Sequence, residues 1–131
     1  MWNLIIILQE HGIQPTPQRI AVAEFVLSTE SHPTADEVWA KVRDRCPTLS
    51  RATVYNTLNL FAEKGLIRPQ PLKGGVVVFD AHTEPHHHFI DDRSGEVIDI
   101  PWEAVKVTGE DSLKEFEIRE YQVVLRGRRR G

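Results

Sequence analysis

A single cysteine, Cys46, has no partner for an internal disulfide, and no C-x-x-C pair exists to hold a cysteine zinc site. Both facts suit a reducing cytoplasm. No apolar run approaches the roughly 20 residues that a membrane helix needs. The opening Met1-Trp2-Asn3-Leu4-Ile5-Ile6-Ile7-Leu8 is apolar but lacks a basic start and meets Glu10 and His11 soon after. A secretory signal and a membrane partner are therefore not expected, and the expected location is cytoplasmic. Net charge is also small, at −3, which is no advertisement for nucleic acid. The halves differ, however. Residues 1–75 carry 8 basic against 7 acidic side chains, and residues 76–131 carry 8 against 12 despite the tail Arg126-Gly127-Arg128-Arg129-Arg130. With 131 residues, 40% of them apolar, the chain can bury a modest core in one domain or two small ones.

What is present in excess is histidine, and it is concentrated. Of 6 histidines, His82, His86, His87 and His88 fall in the stretch from Phe79 to Ile100. The runs Val76 to Phe79, His88 to Ile90 and Glu96 to Ile100 have strand composition, with the turn Asp91-Asp92-Arg93-Ser94-Gly95 between the last two. Residues two apart on a strand share a face, so His86 and His88 project together and His87 points away. Asp99 on the returning strand can reach that face, and Asp80 lies just upstream. Two imidazoles and two carboxylates able to converge are a divalent-metal pattern. A solvated loop is the competing reading; an internal position between strands argues against a tag scar.

The remainder of the chain orders itself around helix signals. Trp2 to His11 reads as a short helix stopped by Gly12. Thr16-Pro17 caps a helix from Pro17 to Ser28, with Ile20, Ala23 and Leu27 on one face. Thr34-Ala35-Asp36-Glu37 is a capping box that opens a helix with Val38, Trp39 and Val42 as its buried stripe. Ser50 caps a helix from Arg51 to Lys64, terminated by Gly65, with Val54, Leu58 and Phe61 facing the core. Arg51, Tyr55, Asn56 and Asn59 lie off that stripe and suit a helix in a DNA major groove. Three helices followed by Leu66-Ile67-Arg68, a Gly74-Gly75 turn and a strand spell a winged helix-turn-helix. Beyond Pro101 the pattern weakens. Trp102 to Val107 is a helix start, Leu113 to Ile118 a helix end or strand, Tyr121 to Leu125 is β-prone, and Arg126 to Gly131 is a mobile tail.

Four segments together resemble the ferric uptake regulator superfamily: Gln14-Pro15-Thr16-Pro17-Gln18-Arg19, His32-Pro33-Thr34-Ala35-Asp36-Glu37-Val38, Ser50-Arg51-Ala52-Thr53-Val54-Tyr55-Asn56-Thr57-Leu58, and the histidine stretch. The resemblance covers nearly the whole chain. It implies an α+β fold with an N-terminal winged helix-turn-helix DNA-binding domain over residues 1–79 and a small α/β dimerisation and metal-sensing domain over 80–131. Matched to the peroxide-sensing branch (PerR), the regulatory metal ligands fall on His32, Asp80, His86, His88 and Asp99. The expected DNA contacts are Arg19, Arg51, Thr53, Tyr55 and Asn56, on a double-stranded palindromic operator bound by a homodimer. Two departures stand out. Where the family places two C-x-x-C pairs around a structural zinc, this chain has Asp91 and Ser94 and then the arginine tail, so no cysteine-bound structural zinc is expected. The triple histidine also resembles the iron-response branch (Irr), whose members respond to haem, and this makes His87 a candidate for haem or a second metal.

The resemblance implies a metal-dependent transcriptional repressor in which the ion links the two domains. The ligand set suits Fe²⁺ or Mn²⁺, with Zn²⁺ able to occupy it in vitro. Peroxide sensing, through oxidation of His32 or His86 beside Fe²⁺, is the favoured signal; a haem- or iron-responsive regulator is the alternative. A small non-haem metalloenzyme is the reading from another class, because such sites with an open position also support oxygen chemistry.

Overall fold

A computed structural model describes residues 3–131, which form two compact units, one ending at Thr83 and the other running from Glu84 to Gly131. Asp80 thus belongs to the first unit. That unit contains α1 (Leu4–Glu10), α2 (Pro17–Val26), α3 (Ala35–Val42), α4 (Arg51–Glu63) and a hairpin of β1 (Arg68–Lys73) and β2 (Val76–Asp80). Each helix starts where a side chain accepts a backbone N–H that the helix leaves without a partner: Asn3 from Ile6, Thr16 from Arg19, Thr34 from Glu37 and Ser50 from Thr53. Trp2, included in the expected first helix, lies outside the described residues. Gly12 and Gly65, at φ 73° and 78°, supply the left-handed residue that ends α1 and α4.

The core of this unit gathers Leu8, Val22, Val38, Val54, Leu58 and Phe61, none of them exposed. On α4 the expected stripe is the observed one. On α2 it is rotated, since Val22, Ala23 and Val26 are buried while Ile20 and Leu27 are only partly so. The helix also ends at Val26 rather than Ser28. The wing is tied back to the helices: Phe79 N–H donates to the Pro33 carbonyl at 2.8 Å, and Thr34 bridges Val78. Strand β2 is thereby fixed beside the residues that precede α3, which brings His32 and Asp80 together.

The second unit is a three-stranded sheet in the order β4-β3-β5, with β3 (His87–Asp91), β4 (Val97–Ile100) and β5 (Val124–Gly127). Strands β3 and β4 form the expected hairpin, in a register that sets His88 opposite Asp99. Strand β5 runs parallel to β3 on the side away from β4, so residues 101–123 pass from one edge of the sheet to the other. Here the expectations for individual elements are met only in part, β5 taking up Val124 and Leu125 of the β-prone stretch Tyr121 to Leu125. The expected helix start over Trp102 to Val107 is a single 3-10 turn, Trp102–Ala104, and a second turn covers Glu110–Leu113. Leu113 to Ile118 forms neither a strand nor an α-helix. The start of the tail is also ordered: Arg126 and Gly127 lie in β5, and Asp92 N–H donates to the Gly127 carbonyl at 2.7 Å.

Asp91 organises this end of the sheet. Its carboxylate accepts from Arg93 and Ser94 N–H at 2.8 and 3.1 Å, closing the β3–β4 turn, and from Arg129 N–H at 3.4 Å. These hydrogen bonds hold the Asp91 carboxyl below the usual carboxylate range, the Ser94 and Arg93 N–H groups contributing most. At a position where the resemblance places a zinc-bound cysteine, a buried carboxylate thus joins the turn to the tail.

Candidate functional site

His32 is buried and adopts φ 53°, the one non-glycine residue with positive φ among those described. Histidine tolerates this region better than most residues, but strain of this kind costs on the order of 1–3 kcal/mol and collects at functional positions. The constraint has two visible sources: Pro33 disfavours the right-handed helical region for the residue before it, and the Pro33 carbonyl is held by Phe79. The outcome is that His32 Nε2 stands 3.4 Å from Asp80 Oδ2, while Asp80 Oδ1 accepts the His82 N–H at 2.9 Å. His82 itself is exposed.

In the second unit the expected face is assembled. His86 Nε2 and His88 Nε2 lie 3.4 and 3.5 Å from the same Asp99 oxygen, and the two rings meet edge-on at 4.6 Å. The far nitrogens are anchored: His86 Nδ1 lies 2.6 Å from the Glu84 carbonyl and His88 Nδ1 lies 2.9 Å from Gln122 Oε1. Both partners are acceptors, so each ring carries a proton on Nδ1 and turns its Nε2 toward Asp99. On neutral rings, two Nε2 lone pairs and a carboxylate oxygen converging in this way repel one another unless a cation or extra protons lie among them. An outer hydrogen bond that fixes the tautomer of a ligating imidazole is the usual support of a metal-binding histidine. The donor set therefore fits a divalent ion of intermediate character. Sequence reasoning missed Gln122, because no local pattern points to a partner 34 residues away.

His87 is arranged in the opposite sense. It is fully buried, stacked on Trp102 with ring centroids 4.6 Å apart, and its Nδ1 accepts the Val123 N–H at 2.9 Å. The neutral ring thus carries its proton on Nε2, a buried atom without a hydrogen-bond partner. The residue offered to haem or a second metal is packed into an aromatic stack, with its Nδ1 occupied by the Val123 N–H.

The α4 face offers Arg51, Tyr55 and Asn56 to solvent. Thr53 is drawn into the helix start, its hydroxyl 2.9 Å from Ser50 Oγ. Arg19 Nη1 donates to the Gln14 carbonyl at 2.9 Å, so this guanidinium is partly engaged by its own backbone. Asp36, not singled out from sequence as a site residue, accepts from the Tyr55 hydroxyl at 3.2 Å and pairs with Arg51 Nε at 3.4 Å.

A helical unit with a two-stranded wing, followed by a small sheet beside which paired imidazoles meet a carboxylate, is the architecture of the winged-helix class. The chain belongs to the ferric uptake regulator family, whose pattern matches residues 10–126. It is 28% identical over 122 residues to the peroxide-responsive repressor PerR of Staphylococcus epidermidis, covering 92% of this chain and 81% of that one. It is 37% identical over 93 residues to the peroxide operon regulator of Bacillus subtilis, covering 71% of this chain and 64% of the relative. Among solved structures, the Vibrio cholerae ferric uptake regulator superposes with a TM-score of 0.74 at 27% identity, covering 96% of this chain and 99% of that one. The family is one of transcription regulators, which removes the metalloenzyme alternative. Among the described residues, no helix is long and apolar enough to cross a membrane.

Proposed function

We propose that this protein is a metal-dependent transcriptional repressor that senses peroxide, and that one divalent ion held by His32, Asp80, His86, His88 and Asp99 links its DNA-reading unit to its sensor unit. The observation that carries this reading is the pair of Nε2 atoms 3.4 and 3.5 Å from one Asp99 oxygen with both Nδ1 atoms anchored, an arrangement suited to a cation. The buried His32–Asp80 pair on the other unit supplies the remaining donors. The peroxide-responsive relatives support the signal.

Fe²⁺ or Mn²⁺ would be held by these residues, and Fe²⁺ would supply the one-electron chemistry by which peroxide oxidises a neighbouring imidazole, whereas Mn²⁺ would not. The chain's own contribution is positional. His32 and Asp80 belong to the unit that carries α4, and His86, His88 and Asp99 to the other unit. An ion that drew both sets onto one centre would fix the angle between the units. In a homodimer this sets two recognition helices about one DNA turn, ~34 Å, apart on a palindromic operator. A protein whose reading helices are free to wander pays for that alignment on binding, so the ion acts by selecting the competent arrangement. Oxidation of His32 or His86 removes a donor and releases the arrangement.

The test uses duplexes selected from a randomised pool by the Mn²⁺-loaded chain. Fluorescence anisotropy should show at least about tenfold tighter binding with Mn²⁺ than without, which is 1.4 kcal/mol of coupling. Equal affinity in both forms rejects the switch. Peroxide treatment of the Fe²⁺ form should add one oxygen atom to the peptide carrying His32 or His86; a peptide map with both unchanged rejects peroxide sensing.

A further inference from the structure

Asp36 is an acid among side chains expected to meet a polyanion. It is 58% exposed and sits in the first turn of α3, where a carboxylate is favourable, but the capping box there is already completed by Glu37. Its Oδ1 accepts the Tyr55 hydroxyl proton at 3.2 Å and faces Arg51 Nε at 3.4 Å. Arg51 is held a second time, its guanidinium carbon 4.9 Å from the centroid of the Trp39 ring. Trp39 is fixed in turn by its indole N–H, which donates to the Leu49 carbonyl at 3.2 Å, and Arg43 packs on the same ring at 4.6 Å. An exposed ion pair contributes little to stability, so folding alone does not explain a carboxylate that engages two side chains of the reading helix.

The geometry has direct consequences for what the face can read. With its Nε edge turned to Asp36, Arg51 keeps its terminal amino groups as a fork for a guanine O6/N7 edge. With its proton donated to Asp36, the Tyr55 hydroxyl offers lone pairs to a base amino group. Partial desolvation, together with the Asp36 hydrogen bond and charge, raises the Tyr55 pKa, so the phenol stays neutral. A negative charge beside Arg51 also opposes its pairing with any phosphate it passes.

We propose that Asp36 is a positioning residue for base reading: it presents Arg51 and Tyr55 to the base edges and withholds Arg51 from indiscriminate phosphate contact. This rests on the DNA-binding reading above. The full Mn²⁺-loaded chain would be used to select duplexes from a randomised pool, and affinity for the selected duplex compared with poly(dI-dC) across a salt series. Asp36→Asn should lower the ratio of selected to non-specific affinity about tenfold, the scale of one lost base-reading pair. It should also tighten poly(dI-dC) binding and steepen the salt dependence by about one counterion. Asp36→Glu should restore the ratio, and in an Arg51→Ala background Asp36→Asn should shift the ratio far less. A wild-type ratio and slope in Asp36→Asn would overturn the proposal, as would an equal loss on both duplexes with an unchanged slope. A wild-type chain that enriches no sequence would overturn the DNA-binding reading itself, a result distinct from either of these.

Discussion

His32 Nε2 lies 3.4 Å from Asp80 Oδ2, both side chains are 5% exposed, and His32 accepts a left-handed backbone to be there. Removing the imidazole should separate ligand loss from fold loss if the replacement tolerates positive φ, as asparagine does. His32→Asn should retain its fold while losing more than about tenfold in Mn²⁺ affinity, since even outer-shell losses cost 10–100-fold. Calorimetric titration with Mn²⁺ measures the affinity and circular dichroism the fold. Unchanged affinity would remove His32 from the ligand set.

Gln122 should matter without touching the ion. Its Oε1 fixes His88 as the Nδ1–H tautomer, so Gln122→Met keeps the volume but frees the ring to protonate or turn. A drop of roughly 10–100-fold in Mn²⁺ affinity is expected with the sheet intact. By contrast His87→Phe, which keeps the stack on Trp102, should leave Mn²⁺ affinity within about threefold, because His87 is tied to Val123 and not to the converging Nε2 atoms.

Acid should loosen the β3–β4 turn. The folded state holds the Asp91 carboxyl below its usual value, so its stabilising effect is fully present above the unfolded value of about 4 and is lost as pH falls through the lowered one. Asp91→Asn should therefore be less stable than wild type near pH 7 and approach it near pH 3, as read from urea midpoints. A gap independent of pH would show that the charge of Asp91 contributes nothing.

Thr34, two residues after His32, caps the start of α3. Thr34 accepts from Glu37 N–H at 3.2 Å and Glu37 accepts from Thr34 N–H at 2.9 Å. Thr34→Ala should cost about 1 kcal/mol in thermal or urea unfolding. Glu37 is held below its ordinary value chiefly by the Thr34 backbone N–H. Its share of stability is likewise present above the unfolded carboxylate value of about 4 and lost below it, so Glu37→Gln should flatten the acid limb.

Much of this was legible because its signals are short-range. Thr16, Thr34 and Ser50 cap the helices they were expected to cap, since capping is decided within three residues. His86 and His88 share a face with Asp99 because strand alternation and a tight turn leave few other registers. The rotated face of α2 was not legible, because several registers of Ile20, Val22, Ala23, Val26 and Leu27 give a comparable apolar stripe. Packing against α3 and α4 selected among them. The helix expected after Trp102 also shrank to one turn, and the β-branched Val105, Val107 and Thr108 offer little intrinsic helical preference to resist that.

From the sequence alone came the order of the elements as far as β4, the winged α+β plan and the identity of the imidazoles and carboxylates that face one another within each unit. Tertiary structure decided which nitrogen of each ring carries its proton, that Asp91 ties the turn to the tail, and that Asp36 engages the reading helix. The physical reason is distance along the chain. A tautomer or a shared carboxylate is chosen by a hydrogen-bond partner brought close by folding, such as Gln122 for His88 or Tyr55 for Asp36, and no local pattern of residues encodes that choice.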